Sequence, residues 1–472
     1  MQPVNTGVSR SSYLLCAALA ALVWLALMYC TRNASYAWDD FTVIAPLFGN
    51  QLAASLGRTV RPLEYFVALL SKDADFPVWL VVNFVAYVVT AATTLKLLTR
   101  LKAGGGDAPF WKLALCATTP VAALAYFQID LVSQALSNFF ALVLVLRTLT
   151  MLEQTDPKQI KVTAWSVLGI SLLCIASKET SYGMIGLAAL LGLLRHRKIA
   201  AVPLVLVFAV LIAVVVRSLE INDLSAGAHY GLKPFWAWPL NLAFLMITAV
   251  APAPTSTTLT QSFLAAWPLT VQVIAGVLVA LAITWLVIGG VRRLARSGSM
   301  PSWRDLVLRP WESPVLVVGL FALASGAPAL FFHVSEMYAS QALPCILAVL
   351  LGAIAFERAI SKNTAALLVA CAVCWVMASA VNLAFYTIIT GYEPGKDASL
   401  GSLERAAFGG IEHAVASRRS AYSVYGWTEV ERPINQGECK IDVRFPRVCL
   451  PHRIIAGFPK ARDAMTVSQK SE

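Results

Sequence analysis

Apolar residues dominate the chain in runs of about twenty, broken by short polar elbows, and this pattern predicts helices of bilayer length. A hydrocarbon core takes roughly 20 apolar residues in a helix at about 1.5 Å rise each. Lipid offers no partner to a bare amide, so a crossing segment is a helix or part of a closed barrel. Unbroken runs such as 12–30 and 338–356 fit helices rather than the ten-residue alternation of barrel strands. The pattern places helices near 12–31, 78–99, 111–127, 132–150, 162–177, 182–194, 200–217, 268–290, 314–332, 338–356 and 364–390. The expected fold is therefore an all-α polytopic membrane protein of about eleven transmembrane helices, the first of them uncleaved.

Basic residues orient this arrangement. With the N-terminus inside, the inner connections hold 18 Lys and Arg and the outer ones before residue 391 hold seven. The asymmetry recurs loop after loop, which predicts an N-in, C-out topology. Residues 1–390 then form the transmembrane domain, with long outer loops at 32–77 and 218–267. An amphipathic stretch after Glu64 and Tyr65 is expected to lie along the membrane surface. Residues 391–472 form a small mixed α/β domain outside the cytoplasm. Cys439 and Cys449 flank a short alternating segment, Ile441-Asp442-Val443-Arg444-Phe445, and thiols oxidise outside the cytosol, so a Cys439–Cys449 disulfide is expected.

Composition agrees with this class: 58% of the 472 residues are hydrophobic and 13% charged, against about a quarter charged in soluble domains. The net charge of +11 is explained by the inner loops and implies no nucleic-acid partner.

The charged residues with least structural excuse lie on the outer side. Charge at membrane depth costs roughly 2.5–3.5 kcal/mol on insertion scales, so it is retained where it is paired or used. Asp39-Asp40 follows the first helix, and Arg58 and Arg61 come later in the same loop. Adjacent carboxylates repel, which calls for a proton or a cationic partner. Three further elbows are very short: Gln128-Ile129-Asp130, Lys178-Glu179, and His333-Val334-Ser335-Glu336-Met337-Tyr338. All four groups end on one side, where they can share a cavity. Arg and Lys would grip a phosphate, and a carboxylate would draw a proton from an attacking hydroxyl.

Those residues resemble the GT-C class of membrane glycosyltransferases, most closely the bacterial and phage glucosyltransferases that decorate O-antigen. The likeness rests on Asp39-Asp40 after the first helix, Gly57-Arg58, Lys178-Glu179, and Glu336-x-Tyr338 followed by Pro344, and it covers about residues 10–390. It implies a multi-pass protein of the bacterial inner membrane with its active site facing the periplasm. The implied reaction transfers a hexose, glucose among the candidates, from a polyprenyl-phosphate donor to a cell-surface glycan, with inversion. Asp39 or Asp40 would be the general base. Arg58, Arg61 and Lys178 would neutralise the leaving phosphate, Glu179 would orient Lys178, and Glu336, His333, Tyr338 and Asp130 would line the cavity. A donor-synthesising transferase and a flippase would be partners. No cofactor is expected, since the very acidic metal-binding pattern of oligosaccharyltransferases is absent. The competing reading is a transporter or flippase for a lipid-linked or anionic substrate.

Overall fold

A computed structural model describes residues 9–30, 61–73, 78–101, 108–122, 126, 131–221, 235–250, 268–281 without 272, 309–327, 336–355, 361–390, 439–441 and 449–451. Helices make up almost all of these residues. Six of the helices are long and apolar enough to cross a bilayer, the makeup of a membrane-embedded helical protein. Their outward faces fit that role. Leu14, Leu22, Val162, Val202, Leu367 and Met377 all lie exposed, an apolar surface that water would penalise and lipid would not.

Helix α1 (Arg10–Cys30) starts where the Ser9 hydroxyl accepts the Ser12 N–H at 3.3 Å. After it come α2 (Pro62–Asp73), α3 (Val78–Arg100) and α4 (Phe110–Thr118). The apolar run predicts a helix over 111–127, but α4 ends at Thr118 and tightens into a 3₁₀ turn, Thr119–Ala122. Pro120 lies in that turn and has no N–H to continue the ladder. Trp24 ties α1 to this region: its ring meets Phe84 of α3 edge-on, and its Nε1–H donates to the Tyr126 carbonyl at 3.2 Å.

Helices α5 (Val132–Glu153) and α6 (Pro157–Ser177) form an antiparallel pair. Asp156 caps α6 by accepting from the Lys158 N–H at 3.0 Å, and Pro157 occupies the first helical position, where its missing N–H costs nothing. A 3₁₀ turn, Glu179–Ser181, leads into α7 (Tyr182–Ile221). At 40 residues α7 would be about 60 Å long if straight, but it is not straight. A Cβ built on Gly192 would lie 2.6 Å from Leu204 Cδ1, and one on Gly186 would lie 3.6 Å from Leu211 Cδ2. Contacts between residues 12 and 25 apart close only if the helix doubles back. The turn falls at His196, whose φ −126° and ψ 37° leave the helical range. Thus α7 is a hairpin of two apolar arms joined at Arg195-His196-Arg197-Lys198, where the pattern predicts a loop. The His196 Nε2 lies 2.8 Å from the Met151 carbonyl and fastens the turn to the end of α5.

The next segment departs from expectation. The sequence reading makes 218–267 a long outer loop rich in Pro, Thr and Trp, yet it contains a 14-residue apolar helix, α8 (Ala237–Val250). Leu240 to Val250 carry no charge, and this run forms most of the helix. Helix α9 (Leu269–Leu281) precedes α10 (Pro314–Ala324), which Ser313 caps by accepting from the Leu316 N–H at 3.3 Å. Helices α11 (Glu336–Ala355) and α12 (Lys362–Thr390) complete the helical part. Helix α11 packs against α5, α8 and α10, and α12 against α1 and α4. Gly183 lets α7 touch α10: a Cβ there would stand 2.3 Å from the Ala324 carbonyl oxygen.

In the tail, β1 (Cys439–Ile441) and β2 (Cys449–Pro451) pair antiparallel. The strand expected at 441–445 thus begins two residues earlier, and residues 442–448 lie outside the described residues. The register sets Cys439 opposite Pro451 and Cys449 opposite Ile441, so the two cysteines do not face each other directly. Their side chains, and with them the expected disulfide, lie outside the described residues.

Candidate functional site

Four charged side chains from widely separated segments meet at one end of the bundle, where α5 begins and α6 ends. Arg61 immediately precedes α2, and Glu64 sits in its first turn. Glu64 shares a helix face with buried Val67 one turn on, so the face that packs inward carries a carboxylate. Lys178 leaves α6 in extended conformation (φ −158°, ψ 146°), and Glu179 opens the following 3₁₀ turn. Hydroxyls pin this elbow. Ser177 donates to the Leu173 carbonyl at 2.7 Å, Ser181 donates to the Lys178 carbonyl at 3.0 Å, and Thr180 meets Ser137 of α5 at 3.3 Å.

Arg61 holds Glu179 in a two-pronged ion pair: Nε donates to Oε2 at 2.8 Å and Nη2 donates to Oε1. The second carboxylate, Glu64, lies 4.0 Å from Arg61 Nη1. Glu64 is 5% exposed and Lys178 is 3% exposed. Arg61 thus anchors Glu179, the residue expected from the sequence to orient Lys178.

Burial pushes the Glu64 carboxyl above the ordinary carboxylate range. Arg61, Lys178 and a hydrogen bond from Ser133 pull it back, and the Glu179 charge adds to the upward push. With Glu64 protonated, two cations face one anion and the cluster is net positive; with Glu64 ionised it is neutral. The sign of the pH effect follows. A carboxyl raised in the folded state binds its proton more tightly there than when unfolded. Its contribution to stability is therefore complete at low pH and is lost as pH rises from the ordinary carboxylate range through the raised value. We expect Glu64→Gln to remove that loss, so that the variant gains stability relative to the parent as pH increases. Thermal unfolding in detergent across a pH series checks this, and a constant difference between the two proteins would contradict it.

Behind the charges runs a buried polar seam between α5 and α11. Gln134 Nε2 donates to Asn138 Oδ1 at 2.7 Å, and Asn138 Nδ2 donates to Ser340 Oγ at 2.8 Å and to the Tyr126 hydroxyl at 3.2 Å. Gln341 Nε2 donates to Ser137 Oγ at 3.3 Å. The seam joins the charged cluster through the Ser133–Glu64 and Ser137–Thr180 contacts.

Of the residues singled out from sequence, Arg61, Lys178 and Glu179 are brought together. Asp39, Asp40, Arg58, Asp130 and His333 lie outside the described residues, as do the side chains of Glu336 and Tyr338, whose backbone opens α11. The sequence reading passed over Glu64 as a site residue and missed the seam. A signal for the seam exists: Ser133, Gln134, Ser137 and Asn138 form a stripe one and four residues apart on an otherwise apolar helix. Among the described residues, no group of three or more His, Cys, Asp or Glu is placed to hold a metal ion.

The fold and this cluster define a class: a helical protein built for the bilayer, with a buried, mixed-charge site at one end of its bundle. Beyond the class, no protein-family model, curated protein or solved structure matches the chain.

Proposed function

We propose that this protein is a membrane glycosyltransferase that moves a hexose from a polyprenyl-phosphate donor to a glycan acceptor. The observation that carries the reading is the meeting of buried Glu64 and Lys178 with the partly buried Arg61–Glu179 pair at one end of a set of apolar helices. Such a site matches both halves of the donor. Apolar helix faces suit the polyprenyl tail, and a cluster that turns net positive when Glu64 takes a proton suits the phosphate. In this reading the chain crosses the membrane eleven times, N-in and C-out, with the site and residues 391–472 on the periplasmic side of a bacterial inner membrane.

In the reaction, the acceptor hydroxyl attacks the anomeric carbon while its proton passes to Asp39 or Asp40. The bond from that carbon to the phosphate oxygen breaks, and the lipid phosphate leaves with the electron pair, inverting the centre. Arg58, Arg61 and Lys178 stabilise the charge gathering on the phosphate. Glu179 holds the Arg61 guanidinium in place, and Asp130, His333, Glu336 and Tyr338 line the cavity.

The test is a transfer assay in sealed vesicles containing the protein, a polyprenyl-phosphate hexose and a glycan acceptor, with no ion gradient. The expected result is sugar on the acceptor and an equal amount of free polyprenyl phosphate. An intact donor, moved between leaflets or taken up only when a gradient is imposed, would instead identify a transporter.

A further inference from the structure

Among the described residues, three side-chain oxygens of the seam and the charged cluster have no hydrogen-bond partner: Glu64 Oε2, Gln134 Oε1 and Gln341 Oε1. Their residues are 5%, 0% and 2% exposed. A buried polar atom left unpaired carries its full desolvation cost, and native structures hold few of them. Here they lie along α5 and on the two helices, α2 and α11, that pack against it. The other end of each amide is fixed, Gln134 on Asn138 and Gln341 on Ser137. Turning the Gln341 amide over would only exchange an orphaned oxygen for an orphaned nitrogen, and turning Gln134 over would set its oxygen against the Asn138 oxygen.

The geometry points to a sugar-binding subsite in the α5–α11 seam, in which Gln134 and Gln341 bond the hydroxyls of the hexose. This assignment rests on the glycosyltransferase reading and names the part of that site that recognises the sugar. A hydroxyl donates and accepts at once, so it satisfies an amide in either orientation, which a metal cation cannot do. A hexose presents several hydroxyls on one rigid ring and can meet both glutamines together. The neighbouring cations Arg61 and Lys178 place the phosphate of the same donor beside them.

Entry needs the outer turns of α5 and α11 to part, because the amide oxygens carry almost no accessible surface. Helix α11 has the means. Pro344 lies inside it, lacks the N–H that would bond the Ser340 carbonyl, and crowds that carbonyl with its ring. The loosened turn is the one bearing Ser340 and Gln341.

The test measures binding of two lipids to the purified full chain: polyprenyl phosphate, and the same lipid phosphate carrying the hexose. The parent should bind the sugar-bearing lipid more tightly. In Gln134→Leu and Gln341→Met that sugar-dependent gain should fall roughly tenfold, the worth of one or two hydrogen bonds. Affinity for sugar-free polyprenyl phosphate should stay within about threefold, which also reports that each variant is folded. If both variants keep the full gain, the subsite is overturned while the glycosyltransferase reading stands. If the parent binds neither lipid, the reading itself falls and the subsite falls with it.

Discussion

Replacing Glu179 with Leu is expected to destabilise the protein by about 3–5 kcal/mol, the cost of stripping one partner from an ion pair withdrawn from water. The Arg61 side chain is 28% exposed and that of Glu179 14%, which sets the expected loss nearer the lower figure. The loss does not measure the strength of the bond. It arises because the Arg61 guanidinium keeps its charge at any accessible pH and must then find solvent from a half-buried place. For the same reason, Arg61→Met in the Glu179→Leu background should recover most of the lost stability, since an apolar pair has no charge to strand. Denaturant or thermal unfolding of Glu179→Leu, Arg61→Met and the double variant in one detergent gives the coupling directly. Single variants within about 1 kcal/mol of the parent would show that the pair behaves like a solvated surface bridge, and the buried-cluster argument would fail.

The second large effect concerns the chemistry. In the vesicle assay, the Asp39→Asn/Asp40→Asn double variant should lose about 10²–10⁴-fold in transfer rate, the usual contribution of a positioned general base. Asn keeps the size and loses the proton affinity, so binding of polyprenyl phosphate should change little. The single variants then separate the two carboxylates: the base is the one whose loss reproduces the double. A double variant that turns over at the parent's rate would end the assignment of the base to this pair.

Much of this architecture is legible in the chain. Length and hydropathy alone set α1, α3, α5 and α6, and the basic elbow at Arg195-His196-Arg197-Lys198 marks the doubling of α7. Two departures from the pattern involve proline. The Pro and Thr residues of 218–267 give that segment the look of a loop and mask α8, and Pro120 interrupts the single helix expected over 111–127. The site was legible only in pieces. Lys178-Glu179 stands out because two charges in a tight elbow have little else to do. Glu64 does not, because a lone acid in the first turn of an amphipathic helix is an ordinary favourable placement against the helix dipole. Only its inward face, shared with Val67, distinguishes it. That Arg61 would choose Glu179, 118 residues away, is a tertiary fact that no local pattern contains.

That separation bears on how the protein is made. A ribosome adds about 5–20 residues per second, so Arg61 emerges roughly 6–24 s before Glu179 exists to receive it. In the proposed eleven-span topology, four intervening segments (78–99, 111–127, 132–150 and 162–177) enter the membrane in that interval while the guanidinium has no partner. Arg61 sits at the start of α2, a helix too short to count among the crossing ones, and not within a spanning segment. In the proposed topology the cation waits outside the hydrocarbon core, and the clasp closes only when the α6–α7 elbow is made.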